Sequence, residues 1–150
     1  MSKNMISAIA WAGLLAGTLD ILAACGNFSI QTGRDPTIVL KFVASGALGP
    51  DALAGGWLTA LAGLFFHFVI AFSWTTLFFI VYPKLPRGNW IVYGLVYGVV
   101  VWLLMNLVVL PMTRIQARPF NWNSAITGAI ILMLMIGLPI SYLARKYHTR

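Results

Sequence analysis

The chain has 150 residues, enough for one domain, and is 60% apolar with only 9% charged residues. A soluble globular domain carries about 25% charged residues, and one this small has too much surface to conceal such a deficit; a water-soluble globule is excluded and the bilayer is the natural solvent. The net charge of +7 sits in short segments between and beyond the apolar runs, without a basic stripe interleaved with aromatics. That argues against nucleic acid as a partner and for membrane topology and attraction to anionic lipid headgroups.

A transmembrane helix needs about 20 mostly apolar residues. The first candidate runs from Met5 to Cys25 (5–25). It contains Asp20, one of only three acids in the chain, and a carboxylate at membrane depth costs roughly 2.5–3.5 kcal/mol on insertion scales. Gly13, Gly17, Asp20 and Ala24 are spaced four, three and four, which puts them on one helix face. Leu22-Ala23-Ala24-Cys25 has the look of a lipoprotein cleavage box. However, Asp20 interrupts the apolar core an export signal needs, and only Lys3 precedes that core; an uncleaved first span is expected. Cys25 is the only cysteine, so no internal disulfide or thiolate metal cluster is expected.

Asp35-Pro36 is a helix start and Gly49-Pro50 a stop. The residues between (36–48) are too few to cross the bilayer. Thr37, Lys41 and Ser45 recur every four residues as a polar stripe, while Ile38, Val39, Phe42 and Val43 are apolar. A short amphipathic helix is expected, interfacial or re-entrant.

The second span (57–82) carries Gly56, Ala60, Gly63, His67, Ala71 and Trp74 along one face. It exits through a polar turn holding Pro83, Lys84, Pro86, Arg87 and Gly88. The third span (90–110) is closed by Pro111 and has a Gly94, Gly98, Val101, Met105 stripe. Asn106 lies on another face with Val99, Trp102, Leu103 and Leu110, placed to hydrogen-bond a neighbouring helix. Pro111 and Pro119 bracket a turn with Arg114 and Arg118, and the fourth span follows (122–142). Trp57 and Trp122 mark one interface; Tyr82, Trp90 and Tyr142 mark the other. Lys3, Lys84, Arg87, Arg145, Lys146 and Arg150 fall on one side, and Arg34, Lys41, Arg114 and Arg118 on the other. This bias of six to four favours both termini in the cytoplasm. The fold expected is a single all-α membrane domain, a four-helix bundle with one short extra helix.

Asp20 and His67 each lie in a stripe of small residues, which lets helix backbones approach closely in lipid. Asp20 stands roughly 22 Å above the start of its span and His67 roughly 15 Å below Trp57, depths that two side chains and a water can bridge. Lys41 could reach Asp20 from above. Two readings follow: polar glue between helices, worth roughly 0.6–2 kcal/mol per residue, or proton and small-solute handling. Imidazole titrates near 6.5, a nearby carboxylate favours its charged form and burial opposes it. His148, in the basic tail, is expected to be solvated. No paired carboxylates, nucleophile–base arrangement, phosphate loop or metal-ligand spacing is present, and neither cofactor nor metal is expected. A lipid-acting enzyme, using Lys41, Arg114 and Arg118 on headgroups, is the surviving catalytic alternative.

The stretch from His67 through Phe72, Phe78 and Phe79 to Tyr82-Pro83-Lys84, with Gly94, Gly98 and Leu110-Pro111 after it and Gly13 to Gly17 before it, resembles small bacterial YagU-like inner-membrane proteins. Asp20 and the segment after the first span depart from that pattern. The resemblance implies a bacterial inner-membrane location and carries over no functional residue. The function expected is that of a non-enzymatic helix bundle, alone, as a homo-oligomer or with a partner subunit; a small transporter or channel component is the alternative.

Overall fold

The computed structural model describes residues 3–86, 88–114 and 121–149. Arg87, Arg118, Pro119 and Arg150 lie outside the described residues, as does the Lys3 side chain. The described chain is all-α. Helix α1 spans Lys3–Thr32, α2 Thr37–Leu48 and α3 Trp57–Val81, with a 3-10 turn at Pro50–Ala54 before α3 and another at Tyr82–Lys84 after it. Two further long helices follow, α4 at Trp90–Met112 and α5 at Trp122–His148. Helices α1, α3, α4 and α5 are each long and apolar enough to cross a membrane.

Helix α1 outruns its apolar stretch. It continues past Cys25 through Asn27, Ser29 and Gln31 and ends where Gly33 takes a φ of +66°. The Gly33 N–H donates to the Ser29 carbonyl at 2.8 Å, closing the last turn with the residue that best tolerates a left-handed backbone. Hydropathy had marked the hydrocarbon segment, not the helix. Polar residues extend it with their own bonds: Gln31 Nε2 donates to Asn27 Oδ1 at 2.9 Å and Thr32 Oγ1 to the Phe28 carbonyl at 2.7 Å.

Two prolines reshape the other spans. Pro111 does not end α4, which runs on to Met112 through a π-turn at Met105–Val109. A second π-turn at Leu132–Gly137 precedes Pro139 in α5. A proline inside a helix removes one N–H and pushes against the carbonyl four residues back; a wider turn just ahead absorbs that conflict. The helix of the fourth span continues beyond residue 142 to His148.

Helices α1 and α5 pack together at the centre; α3 flanks α1 and α4 flanks α5. The buried core joins Ile9, Ala12 and Ala16 of α1 to Phe78 and Phe79 of α3 and Ile136, Ile140 and Ala144 of α5. These residues lie at the end of the bundle that carries both chain ends, called here the terminal face. The opposite end is organised by α2, which packs along α3. Asp35 starts α2 as expected: its carboxylate accepts from the Thr37 N–H at 2.8 Å. Gly49, at φ +96°, ends it. The Arg114 N–H donates to the Gly46 carbonyl at 3.2 Å, tying α2 to the end of α4.

The polar stripe of α2 does not face outward throughout. Ser45 is buried while Ala47 and Leu48 are exposed. Ser45 can be buried because its hydroxyl donates to the Phe42 carbonyl of its own helix at 2.7 Å.

Candidate intramembrane polar site

Gly13 and Gly17 of α1 lie under aromatic rings of α3. A Cβ on Gly17 would stand 2.9 Å from Phe68 Cε1 and 3.1 Å from Ala71 Cβ, and one on Gly13 would run into the Phe72 ring. The small stripe of α1 thus faces α3, but its partners are Phe68, Ala71 and Phe72. The Gly56, Ala60, Gly63 part of the α3 stripe serves other purposes. Gly63 lies under the Leu40 carbonyl of α2, Ala60 is buried, and Gly56 is exposed with open space around it, so Gly56 packs against nothing.

The close approach at Gly17 brings its carbonyl to His67. Nε2 of His67 lies 2.8 Å from the Gly17 oxygen. A carbonyl can only accept, so Nε2 carries the hydrogen and donates. Nδ1 is then the ring nitrogen left as an acceptor. Phe68 closes edge-on against the imidazole, with ring centroids 5.5 Å apart.

Asp20 follows Gly17 by three residues, on the same face of α1. It is partly buried and in electrostatic contact with His67. Among the described residues its carboxylate receives no hydrogen bond. The pair is therefore not a hydrogen-bonded salt bridge. It is a backbone-anchored imidazole beside a carboxylate that has no donor. Both groups are ionisable, and the charge of each acts on the other.

Two other site expectations need correction. Lys41 is not placed over Asp20; its electrostatic contact is with Asp35, three residues outside α1. The Thr37 backbone N–H, then the Thr37 hydroxyl, then Lys41 hold the Asp35 carboxyl below the usual carboxylate range. Helix side chains lean toward the N-terminus, and for Lys41 that is the end of α2 at which Asp35 stands. Asn106 does not bridge helices. It is exposed, and its Nδ2 donates at 2.8 Å to the Trp102 carbonyl of its own helix. The π-turn at Met105–Val109 rotates this part of α4 and disturbs the carbonyl ladder that the amide then serves.

Gly94 and Gly98 do form a packing seam, and its counterpart is Gly137. A Cβ on Gly94 would stand 2.8 Å from the Gly137 carbonyl oxygen, and one on Gly98 would stand 2.9 Å from that of Leu132. Beside the seam, buried Ser141 donates to the Trp90 carbonyl at 2.7 Å. Gly137, Ser141 and Ala144 are spaced four and three, the same small-residue signal that marks α1, and this spacing could have revealed the seam. Tyr97 was also missed: its hydroxyl donates to the Trp74 carbonyl at 2.6 Å and joins α4 to α3. His148 is not simply solvated, since its ring stacks on Tyr82 at 5.7 Å and 21°.

Among the described residues no three of His, Cys, Asp or Glu converge as a metal site would require. No family model, curated protein or solved structure matches the chain.

Proposed function

We propose that this chain is a non-enzymatic membrane helix bundle, acting as a component of an assembly with itself or another subunit, and that Asp20 and His67 are its proton-responsive element. One observation carries the reading: a membrane-depth carboxylate without a hydrogen-bond donor faces an imidazole fixed by the Gly17 carbonyl. Polar residues serving only as glue satisfy each other across helices. Here His67 supplies the glue and Asp20 does not. An intramembrane ionisable residue in that state is expected to serve proton or ion handling.

A second reading draws on the partial exposure of Asp20: a small transporter or channel component that passes protons or a small solute. Purified protein in liposomes separates the two. The first reading expects folding stability that varies with pH, a dependence lost in Asp20→Asn and in His67→Gln, with no proton flux through the chain alone. Flux that disappears in Asp20→Asn selects the second. Stability independent of pH in wild type, with no flux, rejects both.

The proposed location is a bacterial inner membrane with both termini cytoplasmic, supported by the six-to-four distribution of Lys and Arg. A C-terminal reporter that scores on the far side of the membrane would overturn that orientation.

A further inference from the structure

We propose that the terminal face of α5 binds one anionic phospholipid, its phosphate held by Tyr142, Arg145 and Lys146 and an acyl chain lying in the groove between α5 and α1. The first support is a balance of charge. The acids of the chain are Asp20, Asp35 and Asp51. Asp20 faces His67, and the other two flank α2 at the opposite end. No acidic side chain is thus available to Arg145 and Lys146. The C-terminus of α5 offers them roughly half a negative charge, far less than two full cations. The two cations therefore have no acidic side chain competing with an external anion.

The second support is shape. Tyr142, Arg145, Lys146 and Thr149 line a depression of about 230 Å³. The Thr149 hydroxyl is engaged, donating to the Arg145 carbonyl at 2.8 Å, and Arg145 also lies in the field of Tyr82. Tyr142 meets Trp90 edge to face at 5.3 Å, an aromatic pairing typical of headgroup level. An apolar groove of about 440 Å³ lies between Trp11, Leu14, Leu15 and Thr18 of α1 and Leu143 of α5. Lys146 follows Leu143 by three residues, so it sits on the same face one turn nearer the terminal end. The groove and the depression therefore adjoin along α5. Free phosphate would use only the polar half; a phospholipid uses both.

The test is native mass spectrometry of the full chain released from bilayers of phosphatidylglycerol and phosphatidylcholine. Wild type is expected to retain phosphatidylglycerol preferentially. With each cation contributing as surface bases do, Arg145→Gln/Lys146→Gln should lower that retention about 30-fold. Lys84→Gln, at the same end but outside the depression, should leave it unchanged. Leu15→Gln in the groove should lower retention of both lipids. Both cations are exposed, so Arg145→Gln and Lys146→Gln made singly keep the fold and give the same answer in part. Equal loss in Lys84→Gln would mean diffuse attraction and overturn the site. Undiminished retention in the double variant, or full displacement of the lipid by millimolar inorganic phosphate, would overturn it too.

Discussion

Gly63→Ala tests how α2 is held over the polar site. The new methyl would meet the Leu40 carbonyl, with the carbonyl carbon at 2.6 Å and Cα at 3.2 Å. Ordinary contact starts near 3.4 Å and the carbonyl oxygen is nearer still, so α2 has to retreat by more than about 0.8 Å at this point. These are backbone atoms inside a hydrogen-bonded helix, and no side-chain rotation relieves them. A gap of about 0.5–1 Å forfeits roughly a quarter to a half of the dispersion energy at each facing contact, and overpacking of this kind costs about 1–3 kcal/mol. Alanine returns about 1 kcal/mol of helix propensity, leaving a net loss of up to about 2 kcal/mol. Gly26→Ala is the control, because a Cβ there meets nothing within 4 Å, and it should be neutral or stabilising. The assay is hydrogen exchange in nanodiscs, resolved by segment. Exchange in α2 should rise several-fold in Gly63→Ala and remain at the wild-type level in Gly26→Ala. Unchanged or stronger protection of α2 in Gly63→Ala would refute the close packing of α2 on α3.

Gly98→Ala should destabilise the α4–α5 pair by about 1–3 kcal/mol, read by denaturant titration in mixed micelles, since its Cβ would press on the Leu132 and Met133 backbone. Ser141→Ala should cost about 0.5–1.5 kcal/mol in the same titration by removing the bond to the Trp90 carbonyl. Asp35 gives a pH effect of fixed sign. Its carboxyl is held low in the folded chain, chiefly by the Thr37 N–H, so its support for the start of α2 is present at neutral pH and fades as pH falls below about 4. Hydrogen-exchange protection over 37–42, referred to the intrinsic rate at each pH, should therefore fall toward acid in wild type and show a much weaker pH trend in Asp35→Asn.

Much of this arrangement is legible in the sequence because lipid imposes simple rules. Length and hydropathy locate four spans, Asp35-Pro36 and Gly49 delimit α2, and the spacing of small residues identifies the faces of α1, α3 and α4 that pack against other helices. The same spacing places Asp20 and His67 where the structure brings them together. What escapes those rules depends on partners. Nothing in the stripe of α1 says that rings of Phe68 and Phe72, and not the glycines of α3, will fill it. Asn106 lies inside the π-turn before Pro111, so constant helical spacing misplaces it, whereas Gly137 was open to the same spacing rule through Ser141 and Ala144. The end of α1 lies beyond its apolar run because Gly33, not the loss of hydropathy, stops the helix. Depth alone would bring Lys41 to Asp20, whereas Asp35, nearer along the chain, is the acid whose charge it feels.

The central claim is that Asp20 and His67 act as one titrating unit. The most direct measurement is a double-mutant cycle of Asp20→Asn and His67→Gln in bilayers, with stability recorded from pH 5 to 8, where imidazole ordinarily titrates. The account predicts a coupling energy of about 0.5–3 kcal/mol that changes across this range, with the pH dependence of wild type abolished by either substitution. Additive losses that are the same at every pH would contradict it.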